Sequence, residues 1–312
     1  MRVLITGGCG FVGANVCDHF LHQGKHGIVV LDNLTAGSPT YLTDVGRKHG
    51  VDIPVMEGDI RDERTVREAL RGVDAIVHLA ARSGIPDSLK DPVATFDVNV
   101  AGTLNLLEGA RAAGVRRFVL ASSNAAIGNH EPPVDEMLPP RPLSPYGASK
   151  LAAEGLCSAY YGSFGFSSVA LRFGNVYGPY SDHKTSVVAR FRRLIAEGLP
   201  LTVYGDGDQT RDFVHAADVA SAVGLALEYE PQSADDLVFQ VGSGRATTIN
   251  ELIAMISEIC QEQTGKRPIT QSEPPRAADV RHALLDITRA RDELGFEPVT
   301  TLRDGLRSMW AS

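Results

Sequence analysis

A glycine-rich segment between an apolar run and a helical pattern constrains the fold of this chain more than any other feature. Val3-Leu4-Ile5 has the composition of a short strand buried in a parallel sheet. It is followed by Thr6-Gly7-Gly8-Cys9-Gly10-Phe11-Val12-Gly13, a helical pattern to about Gln23, and a second apolar run at Ile28–Leu31. Glycines at 7, 10 and 13 allow a sharp turn and a close approach of the backbone to a diphosphate. The order strand, loop, helix, strand therefore predicts the first unit of a dinucleotide-binding sheet.

The second strand ends at a carboxylate that bears on the choice of cofactor. Asp32 follows Gly13 by 19 residues, where a carboxylate can bind a ribose 2′-hydroxyl. The same carboxylate repels the 2′-phosphate of NADP, and residues 33–38 contain no Arg or Lys to neutralise it. The glycine spacing is G-x-x-G-x-x-G rather than the standard G-x-G-x-x-G. We expect NAD as the cofactor.

Strand and helix patterns continue to alternate beyond this unit. A strand ends at 58–60, a second covers 75–79, a helix covers about 99–113 and a further strand covers 118–120. This alternation predicts a doubly wound α/β fold with a parallel sheet. We expect residues 1–172 and about 213–242 to form the NAD-binding domain. A smaller α/β substrate domain would comprise about 173–212 and 243–312, with 205–213 as a turn-rich loop.

A second segment, Ser144-Pro145-Tyr146-Gly147-Ala148-Ser149-Lys150, predicts a helix with chemical groups in its first turns. A Ser hydroxyl caps a helix, and Pro fits its first position. Tyr146 and Lys150 then lie one turn apart on one face. A phenol titrates near pH ~10, and a nearby ammonium group lowers that pKa. A Tyr with a lowered pKa can move a proton to and from a hydroxyl group.

Four segments together resemble one family, the extended short-chain dehydrogenase/reductases that modify nucleotide sugars. They are the glycine loop, Ser122-Ser123 ahead of Tyr146-x-x-x-Lys150, residues 172–179 (RFGNVYGP) and residues 209–213 (QTRDF). The resemblance extends over essentially the whole chain. It implies a Rossmann-type sheet in which Ser123 and Tyr146 act on the sugar and Lys150 holds the nicotinamide ribose.

The resemblance also implies two sets of binding residues. The NAD set is Gly7, Gly10, Phe11, Val12, Gly13, Asp32, Asn33, Thr35, Gly37, Asp59, Ile60, Ala80, Asn99, Ser122, Tyr146 and Lys150. The substrate set is Arg82, Ser123, Asn175, Arg192, Thr202, Tyr204, Arg211, Arg276 and Asp279. Arginines suit a diphosphate because the planar guanidinium pairs with two oxygens at once. For Arg276 a surface ion pair is an equally good interpretation.

The two residues after Ser123 indicate the reaction type. Dehydratases of this family resemble each other in carrying Asp and Glu there, and its decarboxylases carry Glu at the second position. Asn124 and Ala125 occupy these positions, and neither side chain can titrate. This favours reversible hydride and proton transfer at a carbinol, as in a C4 epimerase that forms a transient 4-keto sugar.

Other activities remain open at this point. A net NAD-dependent sugar oxidoreductase shares residues 121–124, and a CDP-sugar 2-epimerase also tolerates Asn124. A regulator that only binds NAD has no need of the three catalytic residues.

Which sugar is the substrate depends on cations near the site. The segment 186–197 is basic, and in the family it lies over the sugar. Arg192 is our first candidate for the C6 carboxylate of a uronate, because Val188, four residues earlier on the same face, predicts an inward orientation. Arg82 is the second candidate. The chain resembles UDP-glucuronate 4-epimerases more than UDP-glucose or UDP-N-acetylglucosamine 4-epimerases, which implies conversion of UDP-glucuronate to UDP-galacturonate.

Composition excludes several classes of protein. The net charge of −8 disfavours a nucleic acid or membrane surface as partner. No apolar run approaches the ~20 residues of a membrane span. The four cysteines form no C-x-x-C pair, which suits a reducing cytoplasm. His19, His22 and His26 lack partners at metal-binding spacing, so we expect no metal. We expect a cytoplasmic homodimer.

Overall fold

A parallel sheet of seven strands forms the centre of the fold. The structure is a computed structural model that describes residues 1–274 and 281–310. Its strands are β1 (Arg2–Thr6), β2 (Gly27–Asp32), β3 (Val55–Glu57), β4 (Ala75–His78), β5 (Arg117–Ser123), β6 (Ser167–Phe173), β7 (Asn175–Tyr177), β8 (Leu201–Tyr204), β9 (Thr210–His215), β10 (Val238–Val241), β11 (Ala246–Thr248) and β12 (Thr270–Glu273).

Helices connect these strands throughout the chain. They are α1 (Phe11–Gln23), α2 (Pro39–His49), α3 (Glu63–Ala69), α4 (Ile85–Lys90), α5 (Pro92–Phe96), α6 (Gly102–Ala113), α7 (Pro145–Phe164), α8 (Val187–Ala196), α9 (Ala216–Glu228), α10 (Ile249–Thr264), α11 (Thr288–Leu294) and α12 (Leu302–Trp310). A π-helical segment, Asp97–Ala101, leads into α6. Within the described ranges, no helix combines the length and apolar character needed to cross a bilayer.

The order of the strands determines where a ligand can bind. The large sheet runs β10-β6-β5-β4-β1-β2-β3, and every pair of neighbouring strands is parallel. The chain starts at β1, proceeds outward through β2 and β3, then returns to β4 on the other side of β1. Ligands of open α/β sheets bind at such a reversal, outside the carboxyl ends of the strands. The doubly wound α/β fold predicted from the sequence is confirmed.

Alternating side chains of the central strands fill two hydrophobic layers. Val3 and Ile5 of β1 face α1 and α9, whose Phe20 and Val223 are fully buried. Leu4, between them in the sequence, faces the opposite layer with α3, α6 and α7. Because both faces of the sheet are covered, β1 is apolar throughout, which is why the run at 3–5 could be interpreted as a buried strand.

Two small sheets stand beside the large one. One is β11-β9-β7, and the other pairs β8 with β12 in parallel. A third apolar cluster joins α8, α10 and α12 to these strands through side chains such as Phe191, Leu201 and Ile256. Residues 173–212, 243–274 and 281–310 supply most of this region. The division into two domains at the predicted boundaries stays a prediction.

The structure corrects one element predicted from the sequence. Residues 205–213 were expected to form a turn-rich loop, but Thr210–His215 is strand β9, placed between β7 and β11. The prediction was wrong because polar Thr210, Arg211 and Asp212 conceal the strand pattern. Buried Asp212 accepts hydrogen bonds from the backbone N–H groups of Ser243, Gly244 and Leu285, so a carboxylate takes the place of an apolar side chain.

A buried ion pair joins α7 to β6 below the carboxyl edge of the sheet. Arg172 donates two hydrogen bonds to Glu154, at 3.0 and 2.7 Å, and both side chains are almost fully buried. Ser122 at the end of β5 also donates its hydroxyl to Glu154. Removing one partner of such a pair leaves an uncompensated charge in the interior.

We expect Glu154→Leu to lower the free energy of unfolding by about 3–5 kcal/mol, because Arg172 would remain buried and unpaired. Urea denaturation of the apoprotein measures this change. The double variant Glu154→Leu/Arg172→Met is the matched control, and it should lie closer to the wild type than the single variant. A single variant within ~1 kcal/mol of the wild type would contradict the assigned role of the pair.

Candidate active site

The glycine loop lies against the ends of β1 and β4, and its shape requires glycine. A Cβ atom on Gly13 would lie 2.3 Å from the carbonyl oxygen of Gly7. One on Gly7, whose φ is +74°, would lie 2.7 Å from the backbone nitrogen of Ala80. Helix α1 starts at Phe11, directly after Gly10. Its first backbone N–H groups have no partner within the helix, so they are available to a diphosphate.

Asp32, at the end of β2, holds this loop in place. Its carboxylate accepts hydrogen bonds from the backbone N–H groups of Cys9 and Leu34, each at 2.9 Å. Burial raises the pKa of Asp32, and these two hydrogen bonds oppose that rise. Gly37, with φ +82°, approaches Cys9 so closely that a Cβ would lie 2.2 Å from its carbonyl oxygen. Each carboxylate oxygen has a further lone pair, which leaves Asp32 able to accept from a ribose hydroxyl.

The polar residues after β2 and β3 form one connected group. Asn33 donates to Asp59 at 3.2 Å and accepts from the hydroxyl and backbone N–H of Thr35. Arg61, which the sequence did not single out, pairs with both Asp59 and Asp97. Its hydrogen bonds hold the pKa of Asp59 well below the usual range, so this carboxylate stays charged. Ile60 is buried beside α6.

Asn99 connects the loop after β4 to helix α7. Its amide oxygen accepts from the backbone N–H of Arg82 at 2.8 Å, and its amide nitrogen donates to the carbonyl of Arg82 at 3.1 Å. The same nitrogen donates to the Ser149 hydroxyl at 2.9 Å. Asn99 lies in the π-helical segment, a distortion often found at functional sites. The loop that starts at Ala80 is therefore fixed relative to α7.

Helix α7 begins where the sequence predicted, and it places two groups in the site. Ser144 caps the helix by accepting a hydrogen bond from the N–H of Gly147, and Pro145 is the first helical residue. Lys150 is 5 % exposed and donates to the carbonyl of Ala121 at 2.8 Å. Its Nζ lies 6.0 Å from the centroid of the Tyr146 ring. Lys150 therefore contacts the end of β5 and lies near the ring of Tyr146.

Gly147 explains how α7 approaches so near to the end of β5. A Cβ on this residue would lie 2.2 Å from the carbonyl oxygen of Ala125. Ser123 ends β5, its hydroxyl accepts from the N–H of Ala125 at 3.2 Å, and it also forms a side-chain hydrogen bond with Tyr146. The sequence signal for the contact between α7 and Ala125 is a glycine in the first turn of a predicted helix. That signal was not recognised in the sequence.

The pKa of Tyr146 differs from the sequence expectation. Burial raises the pKa of the phenol, and the hydrogen bond with Ser123 lowers it by less. Burial, and not the charge of Lys150, therefore sets the direction of the shift in the pKa of Tyr146. Burial also lowers the pKa of Lys150 itself to about 8. Glu154, one turn further along α7, favours the charged form of Lys150, whereas Lys184 disfavours it. Lys184 was not recognised in the sequence, where it lies outside every motif.

The proposed substrate residues fall mainly on the small sheets. Asn175 is half-buried at the start of β7, Thr202 accepts from Gln271, and the ring of Tyr204 lies 5.1 Å from the guanidinium of Arg190. Arg211 on β9 donates to the carbonyl of Thr210. Arg276 and Asp279 lie outside the described residues. These assignments stay predictions.

Both arginines proposed for a uronate have carboxylate partners. Arg192 pairs with Asp182 at 2.7 Å, and Arg82 pairs with Asp91 at 3.3 Å. Val188 is buried, as expected for the inner face of α8. Within residues 1–274 and 281–310, no group of three or more His, Cys, Asp or Glu side chains is arranged to hold a metal ion.

Comparison with known proteins shows the family. Residues 3–242 match the model of the NAD dependent epimerase/dehydratase family. The chain is 35 % identical to the UDP-glucose 4-epimerase of Mycolicibacterium smegmatis, an alignment that covers 98 % of this chain and 96 % of that protein. The chain therefore belongs to the NAD-dependent epimerase/dehydratase family. It is an enzyme, and its cofactor is NAD.

Two solved structures show the same fold. The UDP-glucose 4-epimerase of Thermus thermophilus in complex with NAD is 37 % identical, with a TM-score of 0.87, and the match covers 98 % of this chain and 97 % of that one. The Bacillus cereus UDP-glucuronic acid 4-epimerase, in complex with UDP-glucuronic acid and NAD, is 29 % identical with a TM-score of 0.89, covering 100 % and 98 %. Both relatives are named as 4-epimerases of a UDP-sugar.

The glycine loop leaves room for the diphosphate of NAD, and the carboxylate of Asp32 is expected to repel the additional phosphate of NADP. We expect NADP to bind at least tenfold more weakly, a difference of about 1.4 kcal/mol, because Asp32 repels its 2′-phosphate. Calorimetry on the apoprotein with each cofactor measures the ratio. Asp32→Asn keeps the shape of the side chain but removes its charge, so it should reduce the ratio. Equal affinities in the wild type would refute the role of Asp32.

The buried ammonium of Lys150 should make stability depend on pH. Its pKa of about 8 in the folded apoprotein lies below the usual ~10.4, so the unfolded chain binds more protons between these values. The free energy of unfolding of the wild type, relative to Lys150→Met, should therefore rise from pH ~8 to ~10.4. Urea denaturation at several pH values tests this. A constant difference would mean that the pKa of Lys150 is not lowered by burial.

Proposed function

We propose that this enzyme epimerises a UDP-sugar at C4, with UDP-glucuronate converted to UDP-galacturonate as its reaction. The observation that carries the proposal is the grouping of Ser123, Tyr146 and Lys150 beside two residues that cannot titrate. Asn124 and Ala125 are half-buried next to Ser123. An elimination needs an additional acid and base at this place, whereas an epimerisation needs only a proton carrier at the C4 oxygen.

In this proposal Tyr146, Ser123 and Lys150 each have a separate role in the reaction at C4. Tyr146 takes the proton from the 4-hydroxyl and later returns it. Ser123 donates a hydrogen bond to the C4 oxygen and stabilises the charge that develops there. The charge of Lys150 would favour the phenolate of Tyr146 and so oppose the rise in pKa that burial causes. When bound, NAD supplies reversible hydride transfer at C4, and the residues of the glycine loop, Asp32 and Lys150 would hold it.

UDP-glucose is the second candidate substrate. The enzymes from Mycolicibacterium smegmatis and Thermus thermophilus are both named for it, whereas the Bacillus cereus enzyme is named for UDP-glucuronic acid. Half-buried Lys184, which forms no ion pair among the described residues, supports the uronate, whereas Arg82 and Arg192 are paired with Asp91 and Asp182. We further propose that Asn175, Arg211 and Arg276 hold the nucleotide diphosphate, since guanidinium groups suit its oxygens.

Location and assembly are also proposals. We propose a cytoplasmic homodimer, in which a second copy of the chain covers exposed apolar side chains of α4 and α5. Leu89, Val93 and Phe96 are 63, 78 and 54 % exposed, and they lie close together in the sequence and on adjacent helices. An exposed apolar patch of this kind marks an interaction surface.

Separate incubations with UDP-glucuronate, UDP-glucose and UDP-N-acetylglucosamine test the proposed function. The products are resolved by chromatography and their masses are measured by mass spectrometry. We expect a C4 epimer of equal mass, formed fastest from UDP-glucuronate. Loss of water or carbon dioxide would indicate a dehydratase or a decarboxylase. Net accumulation of NADH would indicate an oxidoreductase, and turnover of CDP-sugars alone would indicate a 2-epimerase.

Tyr146→Phe removes the proton carrier and leaves the aromatic ring in place. We expect turnover to fall by a factor of ~10² or more, while NAD stays bound. Steady-state kinetics and the NAD content of the purified variant measure the two effects. Retained turnover would assign proton transfer to another group, and loss of NAD would show that the hydroxyl serves cofactor binding instead.

A further inference from the structure

The segment 178–186 between β7 and α8 crosses the carboxyl end of the sheet. On one side Tyr180 and His183 pack against Tyr41 of α2, with ring centroids 5.1 and 6.0 Å apart. On the other side Lys184 donates to the Ser83 hydroxyl at 2.8 Å. Helix α2 follows β2 and Ser83 follows β4, and these two strands flank β1. The segment therefore passes over the cleft that the glycine loop forms.

Ser83 is held in a defined position relative to the catalytic helix. The backbone of the preceding residue, Arg82, forms two hydrogen bonds with the side-chain amide of Asn99, and this amide also donates to the Ser149 hydroxyl. Ser149 is adjacent to Lys150 on α7. The ammonium of Lys184 is thereby fixed, through Ser83, on the side of the cleft where Tyr146 and Lys150 lie.

The charge of Lys184 lacks a carboxylate partner. In the part of the chain that the structure describes, no Asp or Glu lies within ion-pair distance of its Nζ. Asp182 is paired with Arg192, and Asp87 attracts Lys184 without an ion pair. Lys184 is half-buried, burial lowers its pKa, and its charge also lowers the pKa of Lys150. Two ammonium groups thus repel each other across one cleft, a repulsion that a bound anion would relieve.

We propose that Lys184 binds the C6 carboxylate of a hexuronosyl substrate while Ser123 and Tyr146 hold its C4 oxygen. The proposal rests on C4 epimerisation of a UDP-sugar as the proposed function, and it replaces Arg192 and Arg82 as the cation for the uronate. A site cannot desolvate a carboxylate without a partner, and an ammonium supplies a charge-assisted hydrogen bond. Because the Ser83 oxygen accepts from Lys184, its own proton is available to the second carboxylate oxygen.

The test compares Lys184→Gln and Lys184→Arg with the wild type. Values of kcat/KM and Kd are measured with UDP-glucuronate and UDP-glucose, and the NAD content of each protein is determined. We expect Lys184→Gln to lose roughly 10- to 100-fold with UDP-glucuronate, the usual scale for a hydrogen bond to a charged group. The loss with UDP-glucose should stay below about threefold, and Lys184→Arg should recover part of the loss.

Two further variants make the comparison sharper. Arg192→Gln tests the competing cation. If kcat/KM with UDP-glucuronate alone falls in Arg192→Gln and does not fall in Lys184→Gln, the proposal is overturned. Lys25→Gln removes one exposed charge at the other end of α1, where Lys25 pairs with Glu228. It controls for the change in net charge, and we expect no selective loss from it.

The remaining outcomes separate this proposal from the proposed function. Equal losses with both substrates would place Lys184 at the diphosphate, and loss of NAD would place it at the cofactor; either overturns the proposal. If the wild type epimerises neither sugar, the proposed function fails, but the Kd values still decide the role of Lys184. Selective weakening of UDP-glucuronate binding in Lys184→Gln then supports it, and unchanged or equally weakened binding refutes it.

Discussion

The close contact between the two ends of the glycine loop is the constraint on which the rest of the site depends. Gly13 lies so near to the carbonyl of Gly7 that no side chain fits between them. This contact sets the start of α1 directly behind the end of β1. Asp32 then completes the arrangement by accepting from Cys9 and Leu34. The shape of the glycine loop is therefore a product of backbone packing, and the carboxylate of Asp32 is added to a shape that already exists.

A second set of contacts fixes α7, which carries the proposed catalytic groups Tyr146 and Lys150, against the end of β5. Lys150 is held by the carbonyl of Ala121, and Gly147 allows α7 to lie against Ala125. Asn99 joins the same helix to the loop after β4. The proposed catalytic groups are therefore carried by regular elements whose relative placement is fixed by buried hydrogen bonds. Such support holds a catalytic group near its productive geometry.

Much of this could be predicted from the sequence, because glycines, capping residues and buried apolar runs leave local patterns. The β1–α1–β2 unit and the start of α7 at Pro145, capped by Ser144, are examples. Strand β9 could not be predicted in this way, since buried Asp212 is satisfied by Ser243, Gly244 and Leu285, which are distant in the sequence. Lys184 shows the same limit, because its proposed role depends on residues that are near it in space but distant in the sequence, such as Ser83.

The pair formed by Glu154 and Arg172 has a consequence for how the sequence can change over time. Each residue is acceptable in the interior only while the other is present. A single exchange at either position passes through a state with an unpaired buried charge, so the two positions are expected to change together. Ser122 donates to the same carboxylate, which draws a third position into the group. We therefore expect these three positions to change together, although we assign none of the three side chains a part in the proposed proton transfer at C4.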